Sequence, residues 1–147
     1  GYGPERARLQ ANSEVAGLRD RVHFMDAVPP AQLPGIVAEA NVGVTLLQPT
    51  CLNHRFALPN KLFDYLAAGL PVVASDLIET GKIIADYECG WTVDPGNKVS
   101  IRDALSEATR HRHEALRRNA TAAAETLDWN KASPAFAARM TDLIVGS

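Results

Sequence analysis

One stretch, Leu58 to Asp76, reads LPNKLFDYLAAGLPVVASD and leaves few local folds open. Pro59 suits the first turn of a helix, where its missing N–H costs no hydrogen bond and φ is already near the helical value. Leu62, Phe63, Leu66 and Ala67 recur at helical spacing and mark one apolar face. Gly69 ends the helix, Pro71 prevents its continuation, and Val72-Val73-Ala74 reads as a short buried strand.

Asn60, Lys61 and Asp64 stay on the polar side of this helix, at its amino end. There the free backbone N–H groups and the helix dipole favour an anion. Lys61 with those amides can hold a phosphate, and Asp64 can hold sugar hydroxyls. A cation in a first turn opposes the dipole, a cost that a bound phosphate would explain. The alternatives are an ordinary surface lysine and an i,i+3 pair of Lys61 with Asp64, worth only tenths of a kcal/mol.

Further along the chain, apolar spacing predicts a helix over 4–15 with Ala7, Leu9 and Ala11 for packing, a strand over Arg21–Met25, and a helix within 29–40. The stripe of that second helix is Leu33, Ile36, Val37 and Ala40. Val42–Leu47 is almost wholly apolar, as expected of a strand buried on both faces. Gln48–Ala57 reads as a polar loop. A helix near 80–85, a strand near Trp91–Val93 and two or three Ala- and Arg-rich helices from Val99 onward complete the pattern, with Trp129 and Phe136 as docking anchors. Strands alternating with helices imply an α/β fold, a Rossmann-like doubly wound parallel sheet.

At 147 residues the chain is one domain's worth, and 46% hydrophobic with 22% charged residues is a globular composition. A net charge of −2 argues against a nucleic-acid partner, and no apolar run is long enough for a transmembrane segment. Cys51 and Cys89 are far apart without metal spacing and read as a reduced, cytoplasmic pair. The histidines form no ligand motif, so no metal is expected; His111 and His113 read as a solvated helix face. Asp76, just after the second strand, reads as a helix cap.

The PNKLFDYLAAGLPVVAS block resembles the C-terminal nucleotide-sugar-binding domain of GT-B glycosyltransferases, of the retaining family 4 or glycosyltransferase group 1 type. Gly1-Tyr2-Gly3-Pro4-Glu5-Arg6 resembles that family's glycine-rich turn. Val22–Val28 resembles its third strand and base-binding turn, Ala40–Val44 its fourth strand, and Gly90–Gly96 its last strand and exit turn. The resemblance thus covers nearly the whole chain.

It implies a chain that binds a nucleoside-diphosphate sugar as substrate, with no cofactor and no metal. The implied nucleotide-sugar-binding residues are Gly1, Gly3, Val28, Asn53, Arg55, Asn60, Lys61 and Asp64. Gly1 and Gly3 would let backbone approach the nucleotide, although a frayed terminus would look the same. Asp64 falls where the family has the second Glu of its E-x7-E motif, the ribose ligand; the first Glu is replaced by Phe56. In its place the loop offers Asn53, His54 and Arg55, with His54 or Arg55 near phosphate or simply at a solvated loop tip. The implied activity is hexosyl transfer from a nucleoside-diphosphate sugar to an acceptor hydroxyl, as in polysaccharide biosynthesis.

An epimerase of the same fold and a non-catalytic α/β module are the competing readings. The resemblance also makes 1–147 a partial donor-binding domain, with 99–147 as its terminal helices, inactive without an N-terminal acceptor domain. The intact enzyme would be cytoplasmic or peripheral to a membrane. The strand at Val42–Leu47, left without neighbours, would pair in a dimer or swapped assembly.

Overall fold

The computed structural model describes residues 3–110 and 113–145; the side chains at 129, 132, 135, 136 and 142–145 lie outside that description, and with them Trp129 and Phe136. Two compact units divide the chain, Gly1–Gly35 and Ile36–Ser147.

In the first unit, α1 (Arg6–Val15) has no buried residue, so the expected packing of Ala7, Leu9 and Ala11 does not occur there. Arg21–Met25 is not a strand, because among the described residues no ladder partner lies beside it. The amides of Arg21 and Val22 instead fold back on the Leu18 carbonyl, each at 2.9 Å. Arg6 then holds the following segment, donating to the Phe24 carbonyl at 3.2 Å and pairing with Asp26 at 2.8 Å. Pro29 leads into a 3-10 turn (Pro30–Gln32) and α2 (Leu33–Ala38), so the expected helix is divided at its start.

The second unit carries a parallel sheet of three strands in the order β1 (Gly43–Thr45), β2 (Val72–Ser75), β3 (Gly90–Val93). β2 is buried along its whole length, as expected of the central strand. β1 is an edge strand among the described residues, and Val44 is 37% exposed, so the expected burial of both faces fails there.

Helices cover both faces of this sheet, the doubly wound arrangement read from the sequence. Leu62 and Leu66 of α4 (Asn60–Ala67), Ile84 of α5 (Ile78–Tyr87) and Ala120 and Ala123 of α7 (Glu114–Thr126) form one core with Val72, Ala74 and Cys89. On the other side α6 (Lys98–Arg110) packs Ile101, Ala104, Leu105 and Ala108 against Val73 and Val93. α8 (Trp129–Val145) closes the chain. Leu62 and Leu66 are fully buried, each worth about 1.5–3 kcal/mol, whereas Ala67 is exposed and does not belong to the apolar face.

Two glycines fix α4 against the sheet. Gly69 adopts φ +64 and closes the helix with the Leu70 amide on the Tyr65 carbonyl and the Gly69 amide on the Leu66 carbonyl, both at 2.9 Å. Gly43 lets the Tyr65 ring lie directly on β1, where the phenol donates to the Val44 carbonyl at 3.2 Å. Both cysteines are free, Cys51 exposed and Cys89 buried. His113 is not solvated: it is half-buried, edge-on to Trp91 at 4.9 Å between centroids, with Nε2 2.9 Å from the Glu107 carbonyl. His111 lies outside the described residues.

Candidate functional site

In a parallel sheet the strands point the same way, so their exits gather at one edge, where α/β folds place ligands. Here that edge receives the loop after β1, the amino end of α5 after β2, and the turn after β3.

The loop after β1 contains a helix the sequence reading missed, α3 (Leu52–Arg55), too short to show periodicity. Asn53 and Arg55 sit on it, both exposed, and Phe56 ends it, 51% exposed. An aromatic ring therefore occupies the position at which the resemblance expects a carboxylate. The loop is held at both ends. Gln48 Nε2 donates to the Pro95 carbonyl at 2.7 Å, and the buried Thr80 hydroxyl of α5 donates to the Ala57 carbonyl at 2.9 Å. Gln48, Thr50 and Thr80 are contributors that no sequence motif announced. The i,i+4 spacing of Thr50 and His54 was the available signal, since those two side chains meet at 2.9 Å.

α4 begins at Asn60 rather than Pro59. Pro59 is the extended N-cap, with φ −71 and ψ 136, and no side chain caps the helix. The Leu62 amide donates to the Pro59 carbonyl at 2.9 Å, and the Asn60 and Lys61 amides ahead of it have no intrahelical acceptor. Asn60, Lys61 and Asp64 are all exposed on this helix. Among the described residues Lys61 and Asp64 are not an ion pair, so the intrahelical pairing considered for them is not what the structure shows. The fold thus brings Asn60, Lys61 and Asp64 together on α4, with Asn53 and Arg55 on the loop that leads into it.

Asp76 is exposed and caps nothing: Leu77 is the N-cap of α5, without a side-chain bond. Ser75, at the end of β2, is 1% exposed, and its hydroxyl has no hydrogen-bond partner among the described residues.

Gly3 and Val28 belong to the first unit. Gly3 lines a cleft of about 460 Å³ with Arg6, Leu9, His23, Phe24 and Met25, and an added Cβ there would meet nothing within 4 Å. Val28 is half-buried. Gly1 lies outside the described residues. Among the described residues no group of three or more His, Cys, Asp or Glu is placed to hold a metal ion, and no helix is long and apolar enough to cross a membrane.

Comparison with known proteins shows the fold and the family of this chain. The solved sucrose-phosphate synthase from Thermosynechococcus elongatus superposes with a TM-score of 0.78 over 99% of this chain and 36% of its own, at 23% identity, and so shares the fold. A phosphatidyl-myo-inositol mannosyltransferase of Mycobacterium leprae (strain TN) is 31% identical over 125 residues, which cover 82% of this chain and 32% of the relative. The chain therefore spans about a third of the length of the proteins it matches. A family model described as glycosyl transferases group 1 matches residues 1–111, most of the sequence. The α/β fold is the Rossmann-like fold of a GT-B C-terminal domain, and the chain belongs to the glycosyl transferases group 1 family.

Proposed function

We propose that this chain supplies the donor side of a retaining hexosyltransferase that uses a nucleoside-diphosphate sugar. The observation that carries this reading is the uncapped amino end of α4. It stands at the exit edge of a parallel sheet, with Lys61 exposed beside it and unpaired with Asp64 among the described residues. A diphosphate placed there meets the Lys61 ammonium and the first-turn amides together, both favouring negative charge.

In transfer, the anomeric carbon–oxygen bond to the diphosphate breaks, the acceptor hydroxyl oxygen bonds to that carbon, and the hydroxyl proton passes to the departing phosphate oxygen. Charge then grows on the departing phosphate. A fixed cation and oriented N–H groups stabilise this charge more than they stabilise the bound donor, which lowers the barrier. The positive charge comes from the protein, so donor binding is proposed to be independent of metal. Asp64, three residues beyond Lys61, is proposed to accept the ribose hydroxyls, and Asn53, Arg55 and Asn60 to hold the sugar and phosphate. The acceptor would come from a further domain of the whole enzyme.

Calorimetric titration of the intact protein with UDP, GDP and their hexose conjugates tests the reading. Binding of one nucleoside diphosphate, with Lys61→Ala weakening it, is the expected result. Silence for every nucleotide from a folded protein would refute it and favour a non-catalytic module.

A further inference from the structure

We infer that Thr80 is a positioning residue of the donor site: its hydroxyl pins the Ala57 peptide beneath the loop and so holds Asn53 and Arg55 of α3 in fixed relation to the amino end of α4. The inference rests on the donor-binding reading above and adds to that site a residue from a different element, α5.

A threonine in a helix has an acceptor close at hand, the carbonyl one turn back in its own helix. Thr109, Thr121, Thr126 and Thr141 all use it, donating to the carbonyls of Leu105, Arg117, Ala122 and Ala137 at 2.8–3.2 Å. Thr80 stands in the first turn of α5, so the residue one turn back, Asp76, lies ahead of the helix. Its hydroxyl instead reaches 23 residues back along the chain, to the Ala57 carbonyl at 2.9 Å. Among the described residues it is the helical threonine that bonds outside its own helix, and it is 1% exposed. A hydroxyl so enclosed has no water to turn to and no access to a ligand. Whatever Thr80 does for the site, it does through Ala57.

Ala57 is the joint between α3 and α4. Behind it, the Phe56 amide donates to the Leu52 carbonyl at 3.3 Å and the Ala57 amide to the His54 carbonyl at 3.2 Å, which closes α3. Ahead of it, Leu58 precedes a proline and is held to extended backbone, and Pro59 stands at φ −71 and ψ 136 as the N-cap of α4. The connection from the pinned carbonyl to α4 is therefore short and stiff. α4 itself is anchored by Leu62 and Leu66, both fully buried. The remaining freedom is how α3 sits against that anchored end, and the Thr80 bond removes it. The tie at the other end of the loop, Gln48 to Pro95, lies at the surface, where water can replace either partner. Of the two ties, the one from Thr80 is the one that water cannot restore.

The test is calorimetry of UDP-glucose and GDP-mannose binding to the intact protein. Thr80→Val keeps the shape of the side chain and loses the hydroxyl, whereas Thr80→Ser keeps the hydroxyl. Thr80→Val is expected to bind about tenfold more weakly than wild type, and Thr80→Ser to stay within about threefold of it. In a background carrying Asn53→Ala and Arg55→Ala the loop has no ligands left to position, so adding Thr80→Val should weaken binding by less than about twofold. A threonine that only stabilised the fold would lose the same factor in both backgrounds. Amide exchange gives a readout without ligand: in Thr80→Val the amides of Arg55, Phe56 and Ala57 should exchange at least about threefold faster, while those of Gly69 and Leu70, which close α4, stay within about twofold. Unchanged affinity in Thr80→Val, the same loss in both backgrounds, or no recovery in Thr80→Ser overturns the positioning role and leaves donor binding standing. Absence of binding by either nucleotide sugar to folded wild type overturns both.

Discussion

Gly43→Ala is the perturbation that most directly tests how the sheet positions α4. A Cβ at this position would overlap Cγ and Cδ2 of the Tyr65 ring and stand 2.8 Å from the Tyr65 Cβ. The ring can swing away, but the Tyr65 Cβ moves only if α4 moves with it. Two costs follow. Overpacking of this kind costs about 1–3 kcal/mol. Displacing the ring also breaks the phenol bond to the Val44 carbonyl, worth about 0.5–1.5 kcal/mol. Together they come to about 1.5–4.5 kcal/mol, which for a domain of this size lowers the melting temperature by about 3–18 °C.

Thermal unfolding of Gly43→Ala, Tyr65→Ala and the double variant gives the decisive cycle. With the ring gone, the added methyl meets far less, so the double variant should be more stable than the sum of the single losses by at least about 1 kcal/mol. Additivity within about 0.5 kcal/mol would refute the contact as the cause. Because α4 carries Asn60, Lys61 and Asp64, Gly43→Ala should also weaken nucleotide binding at temperatures where the protein remains folded.

Lys61→Ala is expected to weaken a nucleoside diphosphate about ten- to a hundredfold while leaving its nucleoside nearly unchanged in calorimetry, since the ammonium acts on phosphate; equal loss for both would remove Lys61 from that role. Asp64→Asn should weaken nucleoside and diphosphate alike, because ribose is common to them, and unchanged affinity for both would leave Asp64 a surface carboxylate. Burial pushes the Tyr65 phenol above its ordinary value, with the Asp64 charge adding to the effect. A value raised in the folded state means stability that is present below the unfolded pKa and lost as pH rises through the folded one; unfolding should therefore become easier at strongly alkaline pH, and Tyr65→Phe should flatten that dependence in denaturant titrations. We propose that a polypeptide of these 147 residues associates through the open edge of β1, where Val44 is exposed. Light scattering that reports a monomer at every concentration, with cooperative unfolding, would exclude it.

The elements legible in the sequence were those whose local signals and burial agreed. α4, Gly69 and β2 stand nearly where the apolar spacing and the glycine–proline punctuation put them. Where a signal needed a neighbour, reading failed. Arg21–Met25 has strand composition, but a strand exists only beside another, and the described residues of its unit offer none. Val42–Leu47 looked buried on both faces because apolar side chains record what they would tolerate, not which side of an edge strand is covered. α3 escaped because four residues make a single turn. His113 sits in charged sequence, yet its ring packs on Trp91, a contact between distant positions that no local pattern carries. For the candidate site, residue types and the amino end of α4 were readable, whereas the hydrogen bonds that orient the preceding loop were not.

Those unreadable bonds bear most on how the site would work. Asn53, His54 and Arg55 lie on a short surface helix, a kind of segment that by itself moves freely and holds a ligand poorly. Here each end of the loop is tied to a different neighbour: Gln48 to the turn after β3, and Ala57 to Thr80 of the helix after β2. The second tie is buried, since Thr80 is 1% exposed, so breaking it would strand a polar group away from water. The exits of β2 and β3 thus brace the loop that leaves β1. A loop braced in this way surrenders little conformational freedom on meeting a ligand, so more of the contact energy remains for binding and for orienting the reacting groups. This bracing also explains why buried threonine and surface glutamine, neither with any chemistry of its own, belong to the account of the site as much as Lys61 does.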